Sequence, residues 1–153
     1  MQIEYSGNKH LLNQHKTAFL CSRTVSSKAV MRCYDWAMEV DVEHTAIVSG
    51  FQSKIEKDIL HLLGRRKAKI ILVLARRMYK TLPEEFQPFM KEGHLLLISI
   101  SSASRTAKEA ACKRNEYIVQ LSDEVVFGYV GQGSSLETIV TGNNKKTTIL
   151  CQD

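Results

Sequence analysis

The residues with the clearest chemical potential lie in the stretch GYVGQGSSLET, residues 128–138. Gly131 and Gly133 allow the backbone to turn tightly and to approach a ligand closely. Ser134 and Ser135 follow at the start of a helical pattern, where unpaired backbone N–H groups and hydroxyls favour an anion. A phosphate or a nucleic-acid backbone is the natural occupant. A plain tight turn with a serine N-cap reads equally well from these letters. Glu137, one turn into the same helix, reads as a surface or capping carboxylate, with a general acid or base as the alternative.

These residues need a scaffold, and the chain alternates apolar runs with helical patterns. The apolar runs fall at 17–21, 45–49, 69–75, 94–100, 124–130 and 146–151. Their lack of in–out alternation predicts burial on both faces, and helices between them predict parallel crossover units. Helical spacing spans about 26–40, with Val30, Cys33, Ala37 and Val40 on one face. It recurs around Ile55, Ile59, Leu62 and Leu63, near 83–93 between Pro83 and Gly93, over about 105–121, and from about Ser134. The expected fold is a three-layer Rossmann-like α/β domain, one domain over residues 1–153, with a mostly parallel central sheet of about six strands.

In such a sheet ligands bind beyond the carboxyl ends of the strands. The segments in that position are CSRTVSSK (21–28), SGFQSK (49–54), ARRMYK (75–80), SISSASR (99–105) and GYVGQGSS (128–135). Small hydroxylated residues and glycines collect there together with Arg23, Lys54, Arg76, Arg77 and Arg105. The expected phosphate-binding residues of these loops are Ser22, Arg23, Ser49, Gly50, Ser53, Lys54, Arg76, Arg77, Gly131, Gly133, Ser134 and Ser135. A second basic cluster, Arg65, Arg66 and Lys67, precedes a strand. It reads as a solvated helix end whose cations complement the macrodipole. Glu56 and Asp58 with Lys54 and Lys57 read as solvated surface, and Trp36 as packing.

Composition narrows the function classes. With 44% hydrophobic and 24% charged residues the chain is an ordinary globular sequence, and its formal charge of +5 permits an anionic partner without demanding one. No apolar run reaches membrane-spanning length, and MQIEYSGNKH lacks a signal-peptide pattern, so the expected location is the cytoplasm. Cys21, Cys33, Cys112 and Cys151 contain no Cys-x-x-Cys pair and read as free thiols. The five histidines show no ligand spacing; no metal and no cofactor are expected.

The order of motifs resembles the Rossmann-like domain of the DprA/Smf family of DNA-processing proteins. YSGNKHLLNQHKTAFLCSR is similar to that family's opening segment, which leads into a strand ending Gly-Ser-Arg. IVSGFQSKIEKDILH resembles its Val-Val-Ser-Gly stretch, and ILVLARRMYKTLPEEFQPFMKEGHLLLIS its third strand, proline-containing loop, helix and fourth strand. KRNEYIVQLSDEVVFGYVGQGSSLET resembles its Arg-Asn-Arg segment and the following Ser-Gly-Ser turn.

The resemblance implies single-stranded DNA held in a basic pocket, a homodimer, recombinase loading and no catalytic step. Carried over residue by residue, it reaches Ser22, Arg23, Ser49, Gly50, Arg114, Asn115, Gly133, Ser134 and Ser135. The chain departs from the pattern at four places. Cys21 replaces a glycine, Ser53-Lys54 an Arg-Gly pair and Glu116 an arginine, while Arg76 and Arg77 stand where small residues are usual. The chain also has no room for the extra terminal domains common in the family. Two other readings use the same pocket. One is a Lonely Guy-like nucleotide phosphoribohydrolase, with Glu137 near the glycosidic bond and Arg114 on the phosphate. The other is a non-catalytic nucleotide-binding sensor.

Overall fold

The computed structural model describes residues 3–103 and 108–152. A seven-stranded sheet runs through the middle in the order β1-β5-β4-β3-β2-β6-β7. The strands are β1 (Glu4–Gly7), β2 (His15–Leu20), β3 (Thr45–Ser49), β4 (Lys69–Leu74), β5 (Leu95–Ser99), β6 (Glu124–Phe127) and β7 (Lys146–Ile149). All neighbours are parallel except β1, which pairs antiparallel with β5 through Tyr5 opposite Ile98. The sheet is therefore mostly parallel, as expected, with seven strands rather than about six. The extra strand is β1, whose EYSG has no apolar run. It forms because it completes the edge of β5, and only tertiary context supplies that edge.

Five α-helices cover the sheet: α1 (Ser27–Glu39), α2 (Lys54–Arg65), α3 (Gln87–Lys91), α4 (Lys108–Leu121) and α5 (Leu136–Gly142). Short 3₁₀ turns lie at Lys9–Asn13 and Glu84–Phe86. Ser26 caps α1 by accepting from the Ala29 N–H at 3.1 Å. Ser53 and Glu56 form a reciprocal capping box at the start of α2, which satisfies orphan N–H groups at both positions. Helices α1, α2 and α3 lie on one face, and α4 and α5 on the other, in two separate apolar layers.

Alternation along the strands builds those layers. On β2, Phe19 faces the α1–α2 layer while Ala18 and Leu20 face the α4 layer; on β4, Ile70, Leu72 and Leu74 face one way and Ile71 and Val73 the other. Both faces are buried, so the strands are apolar throughout. Trp36 stacks on Phe19 with ring centroids 4.9 Å apart, which places it in packing. Among the described residues no helix is long and apolar enough to cross a membrane.

The strand order reverses at β2. Chain order runs outward from β2 through β3, β4 and β5; α4 then carries the chain back to β6 on the other side of β2. The carboxyl end of β2 is the switch point, where a crevice opens between loops that diverge to opposite sides.

Candidate nucleic-acid interface

A cleft of about 720 Å³ opens at that switch point. Its walls are the segment after β2 (Cys21, Ser22, Arg23, Thr24), the segment after β3 (Gln52, Ser53, Glu56), the loop after β6 (Gly131 to Leu136) and one face of α4. The α4 contribution is Lys108, Ala111, Cys112, Arg114 and Asn115, mostly the one-face spacing of a helix. Its charged residues are three cations, Arg23, Lys108 and Arg114, against one carboxylate, Glu56.

Arg114 is the centre of the site. Only 7% of the residue is exposed, yet no carboxylate lies within ion-pair distance of it among the described residues. Its Nε and Nη2 donate to Asn115 Oδ1 at 3.3 and 3.2 Å. The guanidinium lies against Gly50, where an added Cβ would come within 2.7 Å of Cζ and Nε. Gly50 is thus required by the close approach of a buried cation. Burial pushes the Arg114 pKa down, the negative charge of Glu56 opposes this, and the positive charge of Arg23 adds to it. Arginine nevertheless stays protonated at neutral pH. A buried guanidinium with like charge beside it and only a neutral amide on its donors has electrostatic capacity left for an anion.

The turn that seats this arrangement is strained. Phe51 is buried with a φ of 45°, a left-handed value rare for a bulky residue. Its N–H donates to Ser49 Oγ at 3.3 Å. The kink sets Gly50 beneath Arg114 and delivers Gln52 and Ser53 to the cleft wall. Glu56, expected on the solvated surface, is buried instead. Its Oε1 accepts from the Gln52 and Ser53 N–H groups at 2.9 and 3.1 Å, so the carboxylate serves the cap of α2.

Ser22 holds the opposite wall. Its Oγ accepts from the Gly131 N–H at 2.8 Å and donates toward Ser134 Oγ at 3.4 Å, and its N–H donates to Tyr129 O at 2.9 Å. The glycine-serine loop does not present a free row of donors. The Gly133 N–H donates to Glu137 Oε1, and the Ser134 N–H to Gly131 O at 3.0 Å. Ser135 stands at the N-cap of α5 without a side-chain capping bond. Glu137 is exposed, satisfies its own loop and does not line the cleft.

Of the residues singled out from the sequence, Ser22, Arg23, Ser53, Arg114, Asn115, Gly131, Gly133, Ser134 and Ser135 come together on the cleft. Gly50 supports it from beneath, and Ser49 is fully buried behind it. Lys54, Arg76 and Arg77 lie elsewhere. Lys54 points to solvent and pairs with Asp58 at 3.2 Å. The Arg76 guanidinium lies 4.6 Å from the centre of the Tyr79 ring, and the Arg77 N–H donates to Ala103 O at 2.7 Å. For Arg76 and Arg77 the reason is strand order: β4 and β5 lie beyond β3, away from the switch at β2, so the rim does not converge as a whole. Arg105 lies outside the described residues.

Gln52, Glu56, Lys108, Cys112 and Gln132 line the cleft without having been singled out for it. The signal for Lys108, Ala111, Cys112 and Asn115 was present as a helical stripe leading into the Arg-Asn pair. Reading only the loops after strands passes over a helix face. Among the described residues no group of His, Cys, Asp and Glu could hold a metal ion.

Fold and site together define a three-layer, Rossmann-like α/β protein with a cationic cleft at its switch point. The chain belongs to the DNA recombination-mediator protein A family, whose model matches residues 1–152. It is similar in structure to DNA processing protein A from Helicobacter pylori, a protein with a single-stranded DNA binding mode, with a TM-score of 0.75, 18% identity and coverage of 99% of this chain and 72% of that one. DNA processing protein A from Streptococcus pneumoniae follows, with a TM-score of 0.68, 17% identity and coverage of 95% and 62%, so the chain spans under two thirds of that protein. A molybdenum cofactor binding protein from Rippkaea orientalis has a TM-score of 0.63 at 12% identity, with coverage of 92% and 77%. At these identities the likeness is one of fold. No curated protein matches the sequence.

Proposed function

We propose that the cleft binds the phosphate backbone of single-stranded DNA and that the chain acts as a binding module rather than through a catalytic step. The observation that carries this reading is the buried Arg114, seated on Gly50 without a carboxylate partner among the described residues and flanked on the cleft by Arg23 and Lys108. Family membership points the same way. Backbone contacts come from Arg23, Lys108 and Arg114, while Gln52, Asn115 and Gln132 supply neutral donors and acceptors beside them. A reducing cytoplasm suits the four free thiols, and a homodimer belongs to the same proposal; sedimentation of the purified chain tests it.

Fluorescence anisotropy with a labelled oligonucleotide across a salt series tests the central claim. Each neutralised phosphate releases counterions, so affinity should fall steeply and linearly on logarithmic axes. Weak binding with a flat salt response ends the proposal.

A nucleotide-sized ligand is the second reading. The cleft volume lies in the small-molecule range, and among the described residues no aromatic side chain lines it to stack successive bases. Thermal shift with mononucleotides against oligonucleotides separates the two, because a ligand stabilises according to its saturation. The phosphoribohydrolase reading would require Glu137 to release the Gly133 N–H and reach into the cleft, and release of free base from adenosine monophosphate tests it.

A further inference from the structure

Two of the four cysteines meet beneath the cleft. Cys21 follows β2 and lines the cleft floor; Cys33 lies one face inward on α1 and is fully buried. A Cβ placed on Gly128 would lie 2.5 Å from Cys33 Sγ and 3.1 Å from Cys21 Sγ, so both sulfurs crowd a single point against the end of β6. The absence of a side chain at Gly128 is what lets them pack there. The two thiols share a hydrogen bond. It pushes Cys21 up, with burial adding to the shift, and holds Cys33 below the ordinary thiol value. Cys21 is the sulfur reachable from the cleft, and Cys33 is fully buried beside it.

We propose that Cys21 and Cys33 form a reversible disulfide when the protein meets a peroxide, and that closing this bond reshapes the cleft above it. The Cys21 thiol gives its proton to water and its sulfur attacks the O–O bond, giving a Cys21 sulfenic acid and hydroxide, which that proton converts to water. The Cys33 thiol then attacks the Cys21 sulfur and expels a second hydroxide, which takes the Cys33 proton and becomes the second water. In sum, two thiols lose two electrons and two protons, and one hydrogen peroxide becomes two waters.

An S–S bond of about 2.05 Å is much shorter than a sulfur–sulfur contact. Cys21 must move toward α1 as the bond forms. Ser22 moves with it, and Ser22 Oγ holds the Gly131 N–H at 2.8 Å. The effect on the ligand rests on the DNA-binding proposal; the disulfide itself does not.

The test treats the full reduced chain with hydrogen peroxide, alkylates the remaining thiols and maps the peptides by mass spectrometry. The expected product is a Cys21–Cys33 cross-linked peptide with Cys112 and Cys151 still alkylated, and dithiothreitol restores all four thiols. Both Cys21 and Cys33 remaining alkylated, while Cys112 oxidises, overturns the disulfide. Cys33→Ser should leave a Cys21 sulfenic acid that dimedone traps; if that variant does not fold, the wild-type peptide map decides. Oligonucleotide affinity should drop about tenfold on cross-linking, the scale of a modest coupling between sites, and recover on reduction. Unchanged affinity in cross-linked protein refutes the coupling. Absence of oligonucleotide binding even by reduced protein strikes the DNA proposal, and the peptide map still judges the disulfide.

Discussion

The two rims of the sheet carry similar side chains and use them differently. On the rim where strands begin, basic residues are spent on carbonyls and acids. Arg66 Nη1 donates to Ala37 O and Val40 O, both at 2.8 Å, and Lys69 Nζ to Glu43 O at 2.7 Å. Lys145 Nζ donates to Ser122 O at 2.8 Å, and Lys67 pairs with Glu92 at 2.9 Å. On the rim where strands end, Arg23 and Lys108 have no hydrogen-bond or ion-pair partner among the described residues, and Arg114 has only Asn115. Parallel crossover geometry explains the contrast. Helices end at the first rim and present unpaired carbonyls that cations satisfy; they begin at the second and present N–H groups that cations cannot. At the switch point of the second rim Arg23, Lys108 and Arg114 are left for an external anion.

Substitutions on each rim can break or sharpen this contrast. Arg114→Ala should have the largest effect. It removes a buried charge-assisted contact worth about 2 kcal/mol, roughly a thirtyfold loss of oligonucleotide affinity by anisotropy. Gly50→Ala should follow with roughly a tenfold loss, because the new methyl displaces the guanidinium by direct overlap. A variant that binds normally would show that Arg114 does not act from its present seat. Arg23→Ala and Lys108→Ala should each weaken binding a few-fold and lower the salt slope by about 1.

On the opposite rim, Arg66→Ala should leave affinity and slope unchanged but destabilise the fold by about 1 kcal/mol, read in urea denaturation, as two carbonyls at the end of α1 lose their donor. An effect on binding instead would erase the distinction between rims. The smallest effect concerns Asp123. Its pKa is lowered chiefly by the Lys16 N–H that it accepts at 2.8 Å, with the charges of Lys16, His15 and Lys145 adding to this. A depressed folded-state pKa stabilises above the unfolded value of about 3.9, and that stability disappears as pH falls through the folded value. Asp123→Asn should therefore lower Tm slightly at pH 7 and not in strong acid.

Much of this was legible in the letters. Strands such as TAIVS and KIILVL are buried on both faces because helices cover both sides of the sheet, and that pattern marks a parallel α/β architecture. The glycine-serine turn stood out because its residue types suit few tasks other than holding an anion or turning a backbone, whereas the Arg114-Asn115 pair, inside a helical pattern, was reached only through the family resemblance. Less legible were features that depend on a partner from far along the chain. β1 exists only because β5 offers an edge, and Glu56 is buried because Gln52 and Ser53 turn their N–H groups onto it. The contact of Cys21 with Cys33 depends in turn on a glycine in β6's exit.

Period and residue type are local properties, and they determined the layer architecture and the pool of cations and hydroxyls at the strand ends. Which members of that pool meet was decided only by the order of strands. Arg76 and Arg114 look alike in the sequence, yet one stacks on Tyr79 beyond β3 while the other is buried at the switch beside β2. Strand order is set by which faces and edges pack best across the whole molecule, and that is a sum over distant contacts that no short window of sequence contains.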